Sequence, residues 1–234
     1  MLRNEQIEGV QGMRSPDVFI PNSFDLQWML ACTSGKHFLE EHVGIGKDVE
    51  TPIDFEQLLP LWEEFMQFGR NTIQNVANNL RIPLPDYIRV DMQEAINDNV
   101  GSETLAGVRK NEDGTITLKI YIHSLMPYFL AYTDTHRFRK QLALYQFGST
   151  IAHELRHIYH YEYVPKTLER QKRNNSYFKR RYEYDARLFA LRWLNTQKPK
   201  DFGGRIGLGL AKMMGRLEIA AFKKEKEQEL KGNL

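Results

Sequence analysis

Residues 138–161 read FRKQLALYQFGSTIAHELRHIYHY, a run in which Gly148 is the single residue of low helix propensity. Asp134 or Thr135 can cap its beginning, and Pro165 follows its end. Apolar residues recur along the run at helical spacing: Leu142, Tyr145, Ile151, Leu155 and Ile158. The pattern predicts a long helix that is largely buried.

Two histidines of this helix form the pattern His-Glu-x-x-His. His153 and His157 are four residues apart, so they lie one turn apart on nearly the same helix face. Two imidazoles so placed can hold one divalent metal ion, for which zinc is the usual choice. Glu154, next to the first histidine, can reach a water on that metal and act as a general base. The motif therefore predicts metal-assisted hydrolysis, with a peptide bond as the foremost substrate.

A catalytic zinc usually has three protein ligands, so a third must come from elsewhere in the chain. Residues 181–194, RYEYDARLFALRWL, are predicted to form a second helix that carries Glu183 on the same face as Ala186 and Ala190. A carboxylate on an apolar face is unusual unless it is paired or bound to metal. We therefore expect Glu183 to be the third ligand.

Other roles for the acidic residues of the second helix remain open. Glu183 can instead form an ion pair with one of three nearby arginines, which are Arg180, Arg181 and Arg187. Asp185 is the alternative ligand, although we expect it to accept a hydrogen bond from a ligand histidine.

The two motifs together resemble a known family. A His-Glu-x-x-His motif followed, 26 residues after its second His, by Glu-x-x-Ala resembles the gluzincin metallopeptidases. Within them it is most similar to the small ImmA/IrrE-like group, whose second helix has the pattern E-x-x-A-x-x-F-A, here residues 183–190. The resemblance covers about residues 135–195 and implies one catalytic zinc ion on His153, His157 and Glu183, with Glu154 as base. Arg156 departs from the pattern, because that position is usually uncharged.

A small sheet is predicted before the metal-binding helix. Residues 87–91 form a candidate strand, and residues 105–110 and 115–123 flank a turn that ends at Gly114. Ile116, Leu118, Ile120 and Ile122 are expected on one face of the last strand. A sheet in this place fits the zincin arrangement, in which an edge strand can bind an extended substrate by adding it as another strand.

The rest of the chain is predicted to be mainly helical, so the expected fold class is α+β and zincin-like. Residues 24–42 and 55–80 are predicted helices, and the second has an apolar stripe of Leu58, Leu61, Trp62, Phe65 and Phe68. We expect an irregular or helical N-terminal region over residues 1–54, the metallopeptidase domain over 55–200, and a C-terminal helix within 201–234.

Two further segments have a weaker pattern. Residues 164–179 are rich in Lys, Arg and Asn, which indicates a solvated excursion rather than a lid over the site. Residues 203–209, GGRIGLG, lack the preceding strand and the Gly-Lys-Ser/Thr ending of a phosphate loop. We expect no nucleotide site there, and a helix that begins at about residue 210.

Length and composition limit the other functions. The chain has 234 residues, 41% of them hydrophobic, and a net charge of +2, which suits one ordinary domain and gives no support to a nucleic-acid partner. The single Cys32 excludes an internal disulfide and suits a reducing compartment. No apolar run reaches membrane-spanning length, and no signal-peptide segment is found. We expect a cytoplasmic protein that acts on a peptide or protein substrate.

A donor that stabilises the tetrahedral intermediate is also needed. His123, His160, Tyr161 and Tyr182 are candidates that the sequence does not rank. By default we interpret His160 as structural.

Two other classes of protein are compatible with the sequence. One is a catalytically silent binding or regulatory protein that keeps the zinc fold. Glu154 argues against it, because a purely structural metal site needs no general base. The other is a helical interaction protein with a coincidental motif, which predicts no zinc and no loss of stability on chelation.

Overall fold

A computed structural model describes residues 17–19, 55–91, 106–121, 128–129, 131–133, 136–165 and 181–231. The elements in chain order are β1 (Asp17–Phe19), α1 (Phe55–Leu80), β2 (Tyr87–Asp91), β3 (Ala106–Lys110), β4 (Ile116–Tyr121), α2 (Arg137–Tyr163), α3 (Arg181–Thr196) and α4 (Phe202–Lys231). The protein is therefore α+β and mainly helical, with a small sheet that precedes α2, as predicted. The predicted helix over 24–42 lies outside the described residues, as does all but the start of the charged segment 164–179.

The four described strands form one mixed sheet in the order β1-β2-β4-β3. β1 pairs with β2 and β2 with β4 in parallel, whereas β3 and β4 form the predicted antiparallel hairpin. Gly114 closes the turn at φ 86°, a left-handed conformation that glycine adopts without strain. The expectation that the N-terminal region over residues 1–54 is irregular or helical is wrong for β1. Because β1 has only three residues and pairs with a strand far along the chain, the local sequence does not indicate it.

The strand β4 is buried on both faces, not only on the predicted one. Leu118 and Ile120 are buried as expected, but Thr117 and Lys119 are buried as well. β4 lies between β2 and β3, so both of its edges are paired within the sheet. Ile122 lies outside the described residues.

The main core lies between α1, the sheet and α2. Trp62 and Phe65 of the predicted α1 stripe are buried in it, and Leu61 and Phe68 pack against it. The rings of Phe65 and Phe147 stack with centroids 4.7 Å apart, which joins α1 to α2. Burying each such side chain contributes about 1.5–3 kcal/mol. The side chain of Leu58 is not among those described.

The helix α2 is the centre of the fold. It packs against α1, β3, α3 and α4. Two glycines allow these helices to approach closely: a Cβ at Gly148 would overlap the ring of Trp193 on α3, and a Cβ at Gly207 would meet the backbone of α2. This close contact brings α3 to the histidine face of α2. Helix α2 begins at Arg137 after His136, which makes no side-chain capping bond, and the predicted caps at 134 and 135 lie outside the described residues.

The glycine-rich segment belongs to a helix. Residues 203–209 lie in the first turns of α4, so the expected beginning near residue 210 is wrong and the helix starts at Phe202. The physical reason is tertiary packing, because a Cβ at buried Gly207 would meet the backbone of α2 and a Cβ at Gly203 would crowd the side chain of Arg137. None of the helices in the described part of the chain has the length and apolar character that crossing a membrane requires.

Candidate metal centre

The metal ligands predicted from the sequence converge at the contact between α2 and α3. The Nε2 atoms of His153 and His157 are 3.0 Å apart. Oε2 of Glu183 lies 3.6 Å from Nε2 of His153 and 3.5 Å from Nε2 of His157. Among the described residues, these three side chains are the group of histidine, cysteine and acidic residues that could hold a metal ion.

This triangle fits the dimensions of a zinc site. Tetrahedral zinc with bonds of about 2.0–2.1 Å separates its ligand atoms by roughly 3.3 Å, and the three measured separations lie on either side of that value. Two imidazoles and one carboxylate are also the donor set of one common class of catalytic zinc site, which leaves a position for water. The donor set accepts other divalent metals as well.

Local sequence and packing together place Glu183. It lies in the first turn of α3, where the helix dipole favours a negative charge. Its side chain is on the face of Ala186 and Ala190, which are both buried. Because both alanines are small, the carboxylate reaches the histidines of the facing helix. Arg187, one predicted alternative partner, forms an ion pair with Glu218 of α4, and Arg180 lies outside the described residues.

The charges of the three groups are coupled. Burial alone would raise the pKa of Glu183, but hydrogen bonding to His153 and His157 outweighs burial and holds that pKa far below its usual range. For His157, burial opposes the charged form, yet the hydrogen bond to Glu183 and the charges of Glu154 and Glu183 raise its pKa. Burial dominates at His153 and lowers its pKa to about 4. Without metal, the ionised form of Glu183 and the neutral form of His153 are therefore favoured, and the charged form of His157 is favoured relative to a free imidazole.

Glu154 lies beside this group without belonging to it. Its Oε1 atom is 3.9 Å from Nε2 of His153, and the residue is 7% exposed. Burial raises the pKa of Glu154 to about 7. A carboxyl group with a pKa near neutrality can both accept and release a proton at the operating pH, as a general base must.

The predicted partner of Asp185 is wrong. Its Oδ2 atom lies 2.9 Å from Nε2 of His160 and 2.6 Å from Nε of Arg156, so it contacts neither ligand histidine. The hydrogen bond to His160 is the main reason that the pKa of Asp185 lies well below its usual value. The spacing along α2 explains the difference: His160 lies one turn beyond His157, and Asp185 is on the part of α3 that faces it.

The same contact accounts for Arg156, the charged residue in the motif. Its guanidinium donates to Asp185 and lies over the rings of Tyr159 and Phe189, at 4.1 Å and 5.4 Å from their centroids. An arginine is therefore tolerated here because it is paired with a carboxylate and stacked on aromatic rings.

The structure describes three of the four candidates for the stabilising donor. His160 is buried and bonded to Asp185, in agreement with the structural role expected for it, and His123 lies outside the described residues. The ring of Tyr182 is 5.5 Å from the ring of His157. Burial, together with the charges of Tyr182, Glu154 and Glu183, raises the pKa of Tyr161, so its hydroxyl stays protonated near the carboxylates.

A cavity of about 450 Å³ opens beside His153 and Glu154. Its walls contain Gln146, Ser149, Thr150, Arg187, Ala190, Leu191, Leu194, Ala211, Met214, Gly215, Glu218, Tyr128 and Ala106. Ser149 and Thr150 lie about one helical turn before His153. This spacing alone predicts that they share a helix face with His153. No local pattern predicts the residues of α4, which come from a helix far along the chain.

Compared with known proteins, this chain matches no protein-family model, no curated protein and no solved structure.

Proposed function

We propose that the protein is a zinc-dependent hydrolase, specifically a metallopeptidase of the gluzincin type with a zincin-like domain. One observation carries the proposal: the side-chain atoms of His153, His157 and Glu183 form a triangle of zinc-site dimensions, with the carboxylate of Glu154 next to it. A purely structural site has no use for a buried base in that position.

In the proposed reaction, zinc and the side chains of the protein have separate roles. When bound, zinc lowers the pKa of a coordinated water and polarises the carbonyl to be attacked. Glu154 takes the proton of the attacking water and later delivers it to the leaving nitrogen. Tyr161 is the donor that we propose for the developing negative charge, because the charges of Glu154 and Glu183 act on its hydroxyl, which places it within electrostatic reach of the site.

The position of β3 supports an extended peptide substrate. In the described part of the sheet β3 pairs with β4 alone and lies at the edge, and Ala106 at its beginning lines the cavity. An extended peptide can add to such an edge through backbone hydrogen bonds. Cleavage of a peptide that is unaffected by proline at each position of its backbone in turn would contradict this binding mode.

The deciding experiment compares zinc-loaded wild type with Glu154→Gln on a library of peptides derived from a digested proteome, read by mass spectrometry. We expect wild type to cleave and Glu154→Gln to retain zinc while losing at least about a hundredfold in rate, because it lacks the base. Glu162→Gln, an exposed change on the same helix, is the matched control and should cleave like wild type.

Each other outcome has a defined meaning. Zinc binding with no cleavage in any variant would contradict the hydrolase and favour a catalytically silent zincin-fold binding protein. Cleavage that persists in Glu154→Gln would show that Glu154 is not the base.

A further inference from the structure

Arg187 is the one lysine or arginine among the described residues that line the cavity. It lies one helical turn after Glu183 on α3, and 25% of its side chain is exposed. The described lining also contains two acidic side chains, Glu154 and Glu218. A negatively charged ligand entering the cavity would therefore meet one fixed cation belonging to the chain.

Glu218, one partner of Arg187, is easily exchanged. Nη1 of Arg187 lies 3.3 Å from Oε2 of Glu218, whose side chain is 61% exposed. Exposed ion pairs contribute about 0–1 kcal/mol, so Glu218 can turn into water at little cost. Stacking over the ring of Phe222, 5.4 Å from its centroid, keeps the guanidinium in position when its partner changes.

Arg187 is also close enough to the candidate catalytic group to act on the same substrate molecule. Burial raises the pKa of Glu154, and the positive charge of Arg187 opposes this rise, which places the guanidinium within electrostatic reach of the base. Both residues line one cavity. A group bound at Arg187 would therefore belong to a residue near the scissile bond.

We propose that Arg187 is a specificity-determining residue that binds a carboxylate of the substrate in place of Glu218. The planar guanidinium donates two parallel hydrogen bonds to a carboxylate, which an amide cannot accept in the same way. The carboxylate belongs either to an acidic side chain near the scissile bond or to the free C-terminus of a peptide. Binding of a carboxylate at Arg187 does not require that the protein cleaves peptides. Only the role of this binding in catalysis rests on the proposed function.

The test measures binding, so that it does not depend on turnover. Zinc-loaded Glu154→Gln protein is titrated with short fluorescent peptides in matched versions: Asp or Glu side chains against Asn or Gln, and free against amidated C-termini. We expect tighter binding of one carboxylate version, and the pair in which the preference appears identifies its source. Adding Arg187→Met should weaken binding of that carboxylate version by at least about tenfold, because a charged hydrogen bond is lost. Binding of the amide versions should be unchanged.

Three further variants separate recognition from a structural role. Arg187→Lys should keep part of the preference, and Glu218→Gln should strengthen carboxylate binding a few-fold by removing the competitor. Arg192→Met, an exposed change on the same helix, should have no effect. If Arg187→Met does not fold, as judged by circular dichroism, the other two site variants decide.

The proposal is overturned if no version with a carboxylate binds more tightly than its amide. It is equally overturned if the preference is unchanged in Arg187→Met, or in both Arg187→Lys and Glu218→Gln. Carboxylate preference without cleavage by zinc-loaded wild type would contradict the hydrolase alone. Cleavage without that preference would contradict Arg187 alone.

Discussion

Oδ2 of Asp185 lies 2.6 Å from Nε of Arg156, and this ion pair joins α3 to α2 beside the three candidate metal ligands. The same oxygen accepts a hydrogen bond from His160. Because Glu183 is two residues before Asp185, the pair helps to fix the position of the third ligand relative to the two histidines.

Replacing Asp185 should weaken the protein without removing a ligand. Asp185→Asn is expected to lower the free energy of unfolding by about 1–2 kcal/mol, because a charged hydrogen bond is lost from a side chain that is still 37% exposed. The pKa of Asp185 is lowered in the folded protein, so its contribution is complete above its ordinary value of 3.8 and is lost gradually as the pH falls from there through the lowered pKa of the folded state. Urea denaturation should therefore give the full difference from wild type at pH 7 and a somewhat reduced difference at pH 3, where Asp185 of the folded protein is still ionised. Glu162→Gln, which alters an exposed ion pair, should change stability by less than about 0.5 kcal/mol.

The predicted ligand set can be tested by metal content. Wild type purified with zinc should contain about one zinc ion per chain, as a single catalytic site requires. Glu183→Ala should contain much less, because only two ligands remain, whereas Glu154→Gln should bind zinc like wild type. Elemental mass spectrometry after gel filtration measures this directly. Equal zinc content in wild type and Glu183→Ala would show that Glu183 is not a ligand.

Two glycine-to-alanine substitutions should have opposite effects. At Gly148 the added methyl group would overlap the ring of Trp193, which forces α2 and α3 apart and should cost about 1–3 kcal/mol. At Gly209, inside α4, a Cβ would meet nothing within 4 Å, so alanine should stabilise the helix by about 0.5–1 kcal/mol. Thermal unfolding measures both. The Gly148→Ala protein should also bind zinc more weakly, because its ligands come from both separated helices, and unchanged zinc affinity would contradict that coupling.

The metal-free protein should respond to pH through Glu154. Burial raises its pKa from 4.5 to about 7, so the folded state holds the proton more tightly than the unfolded state does. Stability linked to this group is therefore complete below pH 4.5 and is lost as the pH rises through 7. Glu154→Gln cannot ionise, and at pH 8 it should exceed metal-free wild type by up to about 3 kcal/mol, at 1.36 kcal/mol per pKa unit.

The comparison of the two proteins, each measured at several pH values in the presence of a chelator, measures Glu154 together with its electrostatic coupling to His157. The lowered pKa of His153 acts in the opposite direction between pH 4 and 6.5, but it is common to both proteins. A difference that stays constant from pH 4.5 to pH 8 would contradict the buried, protonated carboxyl. With zinc bound, the neighbouring positive charge favours ionised Glu154, and the difference should shrink.

Local sequence patterns were sufficient to predict the helices that carry the candidate ligands. The helical spacing of His153 and His157 puts both on one face, and the small face of Ala186 and Ala190 identifies Glu183 as a buried carboxylate. The bounds predicted for α1 and for the hairpin also agree with the structure to within two residues. In each case the deciding interactions are between residues a few positions apart, which the sequence displays directly.

Contacts between elements that are distant in the chain could not be predicted from the sequence. The partner of Asp185 depends on the rotation of α3 against α2, and the early beginning of α4 depends on glycines fitting against another helix. The sheet order β1-β2-β4-β3 requires pairing across long stretches of chain. Likewise, the cavity wall that brings Glu218 to Arg187 exists only once α4 is packed.

The sequence by itself therefore determined which helices present the candidate metal ligands and on which face, because backbone geometry repeats every 3.6 residues regardless of the rest of the fold. The tertiary structure decided that Glu183 reaches both histidines, that Asp185 binds Arg156 and His160, and that Arg187 faces the cavity. These relationships depend on how side-chain volumes on separate helices fit together, and close packing fixes that fit only when all the elements are present.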